Sequence, residues 1–270
     1  MPELPEVEIT RRGIEPHILG KRVTSVVVRE PRMRWPVPPR LGKTLSQLTV
    51  QKVRRRAKYL ILEMGTGSLI IHLGMSGSLR VLGTAQPPRM HDHVDIVFGQ
   101  QLLRLRDPRR FGCVLWQSGE AERHPLLRDL GVEPLGPEFS GDCLYRATRQ
   151  RKTPIKLLLM NQAVVVGVGN IYASESLFHA AIRPTTPAWR LSRLRCDALA
   201  KAVVQTLQNS LDAGGTTLRD YVQSNGEPGY FQKLTFVYGR TGSPCRTCST
   251  PIKETRQGQR STFYCPNCQK

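Results

Sequence analysis

Residues 53–82 read VRRRAKYLILEMGTGSLIIHLGMSGSLRVL, short runs rich in Val, Ile and Leu that are broken by turn clusters such as GTG. Runs of this length and composition, bounded by glycine, are strands. They continue on both sides as RVTSVVV (22–28), HVDIVF (93–98), QLLRL (101–105) and CVLW (113–116). No helix-sized period separates them, so the parallel alternation of a nucleotide-binding sheet is not indicated. The region from Arg22 to Trp116 therefore predicts an all-β sandwich or barrel.

Outside this region the periodicity changes. Pro5 followed by Glu6, Val7, Glu8 and Ile9 starts a helix, because proline suits the first turn and acids suit the positive end of the dipole. Leu4, Val7, Ile14 and Ile18 give that helix one apolar face. LGVEPLGPEFSGD (130–142) is rich in glycine and proline and reads as a linker. Beyond it the pattern is helical: IKLLLMN, NIYASESLFHAAI, a long stretch from Leu191 to Ala213 stopped by Gly214 and Gly215, and TLRDYVQ.

The last 35 residues, from Phe236, lose that period. Cys245, Cys248, Cys265 and Cys268 form C-x2-C-x16-C-x2-C, which lets two tight turns present four thiolates to one tetrahedral zinc ion. Four protein ligands leave no position for water, so the ion is expected to be structural. Lys253, Arg256, Arg260, Phe263 and Tyr264 lie between the cysteine pairs, on an expected β-hairpin whose basic surface suits a nucleic-acid groove. Cys113, Cys143 and Cys196 are expected to be small buried hydrophobes.

The chain carries 40 Lys and Arg against 21 Asp and Glu, a net charge of +19 that favours a polyanionic partner. A membrane surface would also attract such charge, yet no window approaches the roughly 20 apolar residues of a span. MPELPEVEITRR has no apolar export core, so a cytoplasmic location is expected. With 270 residues and 39% hydrophobic content, about two domains can form. GVGN at 167–170 opens a helix and suits an anion, but it lacks a full dinucleotide or Walker pattern, so no nucleotide cofactor is expected. His91 lies in HDH, a weak metal signal.

Several of these motifs together resemble bacterial formamidopyrimidine-DNA glycosylases: PELPEVE (2–8), RRRAKYL (54–60), HLGMSG (72–77), DPRRFG (107–112), GVGNIYASESLF (167–178) and the terminal finger. The order and spacing match over essentially the full length. The resemblance implies an α+β protein of two domains. Its N-terminal part would be an antiparallel β-sandwich with flanking helices, and its C-terminal part a helix-two-turns-helix domain with a four-cysteine zinc-finger hairpin. The expected division is a catalytic domain at 1–130, a linker at 131–150, the helical DNA-binding domain at 151–235 and the finger at 236–270.

The resemblance also assigns roles. Pro2, exposed when the initiator methionine is removed, would be the nucleophile at the sugar C1′ of an oxidised purine nucleotide. Chemistry favours that choice, since at neutral pH about a tenth of an α-amine is unprotonated against well under a thousandth of a lysine amine. Glu3 would be acid and base at the sugar, with Glu6 assisting or, equally, only favouring the helix start. Lys58 would assist base removal, and Arg260 would bind the flanking phosphates and serve the second elimination. Met75, Arg110 and Phe111 would fill the void left by the extruded nucleotide, and His91, Arg110, Arg151 and Asn170 would contact DNA. Thr216–Tyr230 would cap the lesion. The expected partner is damaged double-stranded DNA, bound by a monomer, in the nucleoid of a bacterial cell.

Two other readings compete. An endonuclease VIII type enzyme shares the chemistry but prefers oxidised pyrimidines; Leu4 and Phe111 favour the purine branch. A non-catalytic DNA-binding protein would account for charge, finger and helices, but leaves the Pro2–Glu3 pair unexplained.

Overall fold

The computed structural model describes residues 2–215 and 234–270; the expected lesion-capping segment and the run TLRDYVQ lie outside the described residues. The described residues fall into two compact units, one built from residues 2–129 with 213–215 and one from Leu130–Asp212 and the residues from 234 onward.

The first unit begins with α1 (Leu4–Ile18), followed by β1 (Ser25–Val28), α2 (Leu41–Leu45), β2 (Lys52–Arg56), β3 (Tyr59–Glu63), β4 (Gly67–His72), β5 (Ser78–Gly83), β6 (Asp92–Phe98), β7 (Gln101–Arg106) and β8 (Cys113–Ser118). The strands form two four-stranded sheets, β1-β6-β7-β5 and β2-β3-β4-β8, and every pair is antiparallel. This is the sandwich of the two expected alternatives. The run quoted first splits into β2 and β3 at Ala57 and Lys58, which close a hairpin with Arg56 opposite Tyr59.

One buried cluster joins the two sheets: Leu60 and Leu62 of β3, Leu69 and Ile71 of β4, and Val94, Ile96, Leu103 and Leu105 of β6 and β7. Val7, Ile14 and Ile18 of α1 belong to it, as the apolar face of that helix predicts. Each fully buried side chain of this size contributes about 1.5–3 kcal/mol. Leu60, Ile61 and Leu62 are buried in succession, so β3 is covered on both faces.

The second unit contains α3 (Gly141–Thr148), α4 (Ile155–Leu159), α5 (Asn170–His179), α6 (Arg193–Asp212) and the hairpin β9 (Lys253–Gln257) and β10 (Arg260–Tyr264). Helix α3 lies where the sequence suggested only linker. It is too short to show a clear period, and it holds by contact: Ser140 Oγ accepts from Cys143 N at 3.1 Å, and a Cβ on Gly141 would lie 1.8 Å from Asp197 Oδ1 on α6. Cys143 is only partly buried on this helix, unlike Cys113 and Cys196, which are buried as expected. Among the described residues no helix is long and apolar enough to cross a membrane.

Replacing Leu103 by alanine should lower the unfolding free energy by about 2–5 kcal/mol in a denaturant titration. A loss below about 1 kcal/mol would mean that the two sheets do not share a packed core.

Candidate active site and nucleic-acid interface

The amino end is held rather than frayed. Pro2, Glu3 and Glu6 are all buried, Glu3 at 2% and Glu6 at 0% exposure. Glu3 is the N-cap of α1, and its backbone N donates to Glu6 Oε2 at 2.8 Å while the Glu3 side chain accepts from the Glu6 amide, a reciprocal capping box. The positive end of a 15-residue helix thus points at two carboxylates and a proline. Glu8 is half-buried and is bound by Arg11 and Arg12 of α1 and by Arg55 of β2 at 3.5 Å, so it serves an ion-pair cluster against the sheet.

Lys58 occupies the β2–β3 turn and is 8% exposed. The turn needs Ala57 in the left-handed region at φ 53°, a conformation that a residue with a Cβ adopts at some cost. Near it lies His72 at the end of β4. Burial, then the charges of Lys58 and Arg34, push the His72 imidazole down to about 4. A neutral ring fits its bonding, since His72 Nδ1 accepts from Gly74 N at 2.9 Å; the ring proton therefore sits on Nε2. Burial also pushes the neighbouring Cys113 thiol up to about 12.

Gly74 opens the loop that carries Met75. Its φ is 66°, and an added Cβ would lie 2.5 Å from Phe111 C and Gly112 N, so this loop packs directly on the loop carrying Arg110 and Phe111. A fully buried carboxylate, Asp107, ties the two together. Ser76 Oγ donates to Asp107 Oδ1 at 2.8 Å and Gly112 N donates to Oδ2 at 2.8 Å. The Asp107 backbone adds a third element: its N donates to His91 O at 3.0 Å, and its carbonyl oxygen lies 2.8 Å from His93 Nε2. Met75, His91, Arg110 and Phe111 are thereby held in one region of the first unit. Phe111 is 40% exposed with the Arg109 guanidinium 4.9 Å from its ring, so it is not a core residue. Arg110, at φ 56°, pairs with Glu30 at 3.2 Å.

In the second unit the β9–β10 hairpin exposes Arg260 just after its turn. Asn170 begins α5, and its Nδ2 donates to Ser261 O at 3.0 Å while its Oδ1 is buried without a partner. Lys156, fully buried, donates from Nζ to Ser261 O at 3.0 Å and to Thr262 Oγ1 at 2.6 Å. The base of β10 is thus fastened beside Arg260. Arg151 stands apart on an exposed loop before α4.

The four cysteine sulfurs lie within 4.8 Å of one another, with Cys248 to Cys265 at 3.5 Å and Cys245 to Cys268 at 3.9 Å. Four thiolates at about 2.3 Å from a zinc ion make a tetrahedron with edges of about 3.8 Å, so the set fits one structural zinc. Among the described residues it is the one such cluster, and HDH at 91–93 does not form another. The finger does not stand alone: Phe178 of α5 completes a small core with Val237, Ile252 and Phe263. Glu175, 1% exposed, accepts from the backbone N of Phe236, Val237 and Tyr238 at 2.7, 3.0 and 2.8 Å.

Three family models match successive parts of the chain: the formamidopyrimidine-DNA glycosylase N-terminal domain at residues 1–114, the H2TH domain of the same glycosylase at 130–222, and a zinc finger found in FPG and IleRS at 242–270. Formamidopyrimidine-DNA glycosylases of Paraburkholderia phymatum and Thioalkalivibrio sulfidiphilus are 59% and 58% identical over the whole of both chains. The chain belongs to the formamidopyrimidine-DNA glycosylase family. Among solved structures, the family protein from Thermus thermophilus is 37% identical with a TM-score of 0.90, covering 99% of this chain and 98% of that one. A Lactococcus lactis FPG mutant in complex with a Fapy-dG containing DNA is 34% identical with a TM-score of 0.92 over 100% of both chains.

Three residues of this family member escaped the sequence reading. Asp107 stood in a quoted motif without a role, because hydrogen bonds across loops leave no periodic trace. Lys156 and Glu175 did leave a signal: each is the lone charge among uncharged residues, in IKLLLM and NIYASESLF, which a chain does not bury without partners.

Arg109 N also donates to Asp107 Oδ1, at 3.3 Å. Asp107→Asn should cost about 1–3 kcal/mol, because the asparagine NH2 group cannot accept where one carboxylate oxygen did, and should speed hydrogen exchange at the Gly112 or Arg109 amide. Unchanged exchange at both amides would remove Asp107 from this role. His72 binds fewer protons folded than unfolded between pH about 4 and about 6.5. The stability it supports is whole above pH 6.5 and falls with pH, by on the order of 2 kcal/mol near pH 5. The wild type's margin over His72→Gln should shrink in acid, and a constant margin from pH 7.5 to 4.5 would contradict the assignment.

Proposed function

We propose that this chain is a bifunctional DNA glycosylase and AP lyase of base excision repair that removes oxidised purines, 8-oxoguanine and formamidopyrimidines, from duplex DNA. The observation that carries this reading is the buried Pro2–Glu3–Glu6 group at the positive end of α1 in a chain of this family. After loss of Met1, the Pro2 nitrogen attacks C1′ and the damaged base leaves with the glycosidic bond electrons. The nitrogen gives up its proton and then expels O4′ from C1′, the ring oxygen taking a proton as the sugar opens. This leaves an iminium, a cation that needs no added proton and acts as an electron sink. Loss of a C2′ proton expels the 3′ phosphate, and a second elimination expels the 5′ phosphate.

Glu3 moves protons at the sugar, and Glu6 fixes Glu3 through the capping box. Lys58 assists base departure. Arg260, on the rigid hairpin held by Lys156 and zinc, binds flanking phosphate and stabilises its departing charge. Met75, Arg110 and Phe111 fill the void left by extrusion, and the clasp at Asp107 keeps them in register for an event that costs a few kcal/mol. His91, Arg151 and Asn170 complete the contacts to the backbone. We place the protein, as a monomer, in the bacterial cytoplasm at the nucleoid. Solved relatives carry Fapy-dG DNA and abasic-site DNA, the classes of ligand this reading requires.

Borohydride reduction with a duplex containing 8-oxoguanine should trap the protein covalently, and Pro2→Gly should reduce excision and trapping by on the order of 100-fold. Full activity in the variant, or in protein that retains Met1, would overturn the chemistry. Faster removal of thymine glycol than of 8-oxoguanine would instead assign the endonuclease VIII specificity.

A further inference from the structure

The outward face of the β1-β6-β7-β5 sheet carries a cleft lined by Arg80, Arg89, Arg104 and Arg106 together with Gln86 and Asp92. Arg80 sits on β5, and Arg104 and Arg106 on β7, on the opposite face from the buried Leu103 and Leu105. Register places Arg80 opposite Arg104 and one step along from Arg106, so the two guanidinia are diagonal neighbours.

The nearby acids are already used. Asp95 takes Arg104 through two bonds of 2.8 Å and also binds Arg29 at 2.6 Å. Asp92 lies 3.6 Å from Arg104 and accepts the backbone N of Arg89 at 2.8 Å. Arg80, Arg89 and Arg106 then have no carboxylate within ion-pair distance among the described residues, and Arg80 Nε is buried with no hydrogen-bond partner. Burial and the charge of Arg106 pull the Arg80 guanidinium below its ordinary range, against the opposing pull of Asp92. Three unpaired cations gathered in a concavity destabilise the free protein, and an oxyanion with several acceptor oxygens would satisfy all three.

We propose that this cleft is an additional phosphate subsite that takes a backbone phosphodiester of duplex DNA away from the reacting nucleotide. The inference rests on the reading of the chain as a DNA-binding repair enzyme. Continuity favours DNA over a small anion: Arg89 lies two residues before His91, and Arg106 directly precedes Asp107, whose clasp holds the Arg110 loop. The cleft thus extends the surface assigned to DNA along the same sheet.

The test uses full-length zinc-loaded protein, a fluorescent duplex carrying a tetrahydrofuran abasic analogue, and the variant R80A/R106A. A control, R123A/R128A, removes the same charge from surface arginines that already have acidic partners in Glu120 and Asp129. In R80A/R106A the slope of log affinity against log salt should become shallower by about 0.9 to 1.8, with binding weaker by about tenfold near 0.15 M salt. The control should move neither by more than a small part of this. The variant's melting temperature should stay equal or rise, because like-charge repulsion is relieved, and single-turnover cleavage of 8-oxoguanine DNA at saturating protein should stay unchanged.

A slope and affinity equal to wild type overturn the proposal, as does a loss no greater than the control's. If inorganic phosphate, at constant ionic strength, raises the melting temperature of wild type but not of R80A/R106A while the DNA slope stays the same, the cleft holds a free anion and the backbone assignment fails. Weakened DNA binding by the variant, with wild type that borohydride cannot trap, would leave the subsite standing and overturn the glycosylase reading instead.

Discussion

A chain has a free proline nitrogen at one place, its amino end, and chain ends fray unless something ties them down. In this protein the end is tied by the helix it starts. The capping box between Glu3 and Glu6 satisfies two amides that α1 would otherwise leave open, and it buries both carboxylates in doing so. Val7, Ile14 and Ile18 then anchor the same helix in the sandwich core. The position of Pro2 is therefore set by hydrophobic packing several turns away, and it is as well fixed as a residue in mid-strand.

The loops at the sheet ends follow a related logic. Loops cannot draw on a ladder of backbone bonds, so their order must come from side chains. Asp107 supplies it with two carboxylate oxygens and its own backbone, reaching Ser76, Gly112, His91 and His93. His72 supports the other loop only while neutral, since an Nδ1 that accepts from Gly74 cannot carry a proton. The side chains of Met75, Arg110 and Phe111 are thus carried on loops that the protein itself holds stiff.

Much of this was legible in the sequence. Runs rich in Val, Ile and Leu marked β1 to β8, with β2 and β3 read as one run, whereas β9 and β10 followed only from the expected hairpin between the cysteine pairs. The apolar face of α1 and the cysteine spacing followed from period and from ligand geometry. Helix α3 was not legible: it is eight residues long, and its reason for existing is the close approach of Gly141 to Asp197 on α6. Helix α2, five residues, was missed for the same lack of a period. The site divided similarly. Pro2, Glu3, Lys58 and Arg260 could be named as candidates because they sit in motifs, whereas the buried partners Asp107, Lys156 and Glu175 act through contacts between segments distant in sequence. The pairing of Arg104 with Asp95, which leaves Arg80 and Arg106 unmatched, is likewise a property of strand register alone.

The placement of the sulfur atoms has one more consequence. Peroxide attacks thiolate rather than thiol. Cys113, 2% exposed and held protonated far above neutral pH, offers no thiolate, and Cys196 is sealed in the helical unit. Cys143 is partly exposed on α3, and the other partly exposed sulfurs, Cys248 and Cys268, belong to the zinc-binding quartet, which is shielded while the ion is bound. Loss of the metal would open that quartet to oxidation and loosen the finger, while Cys113 leaves the sandwich without a reactive sulfur.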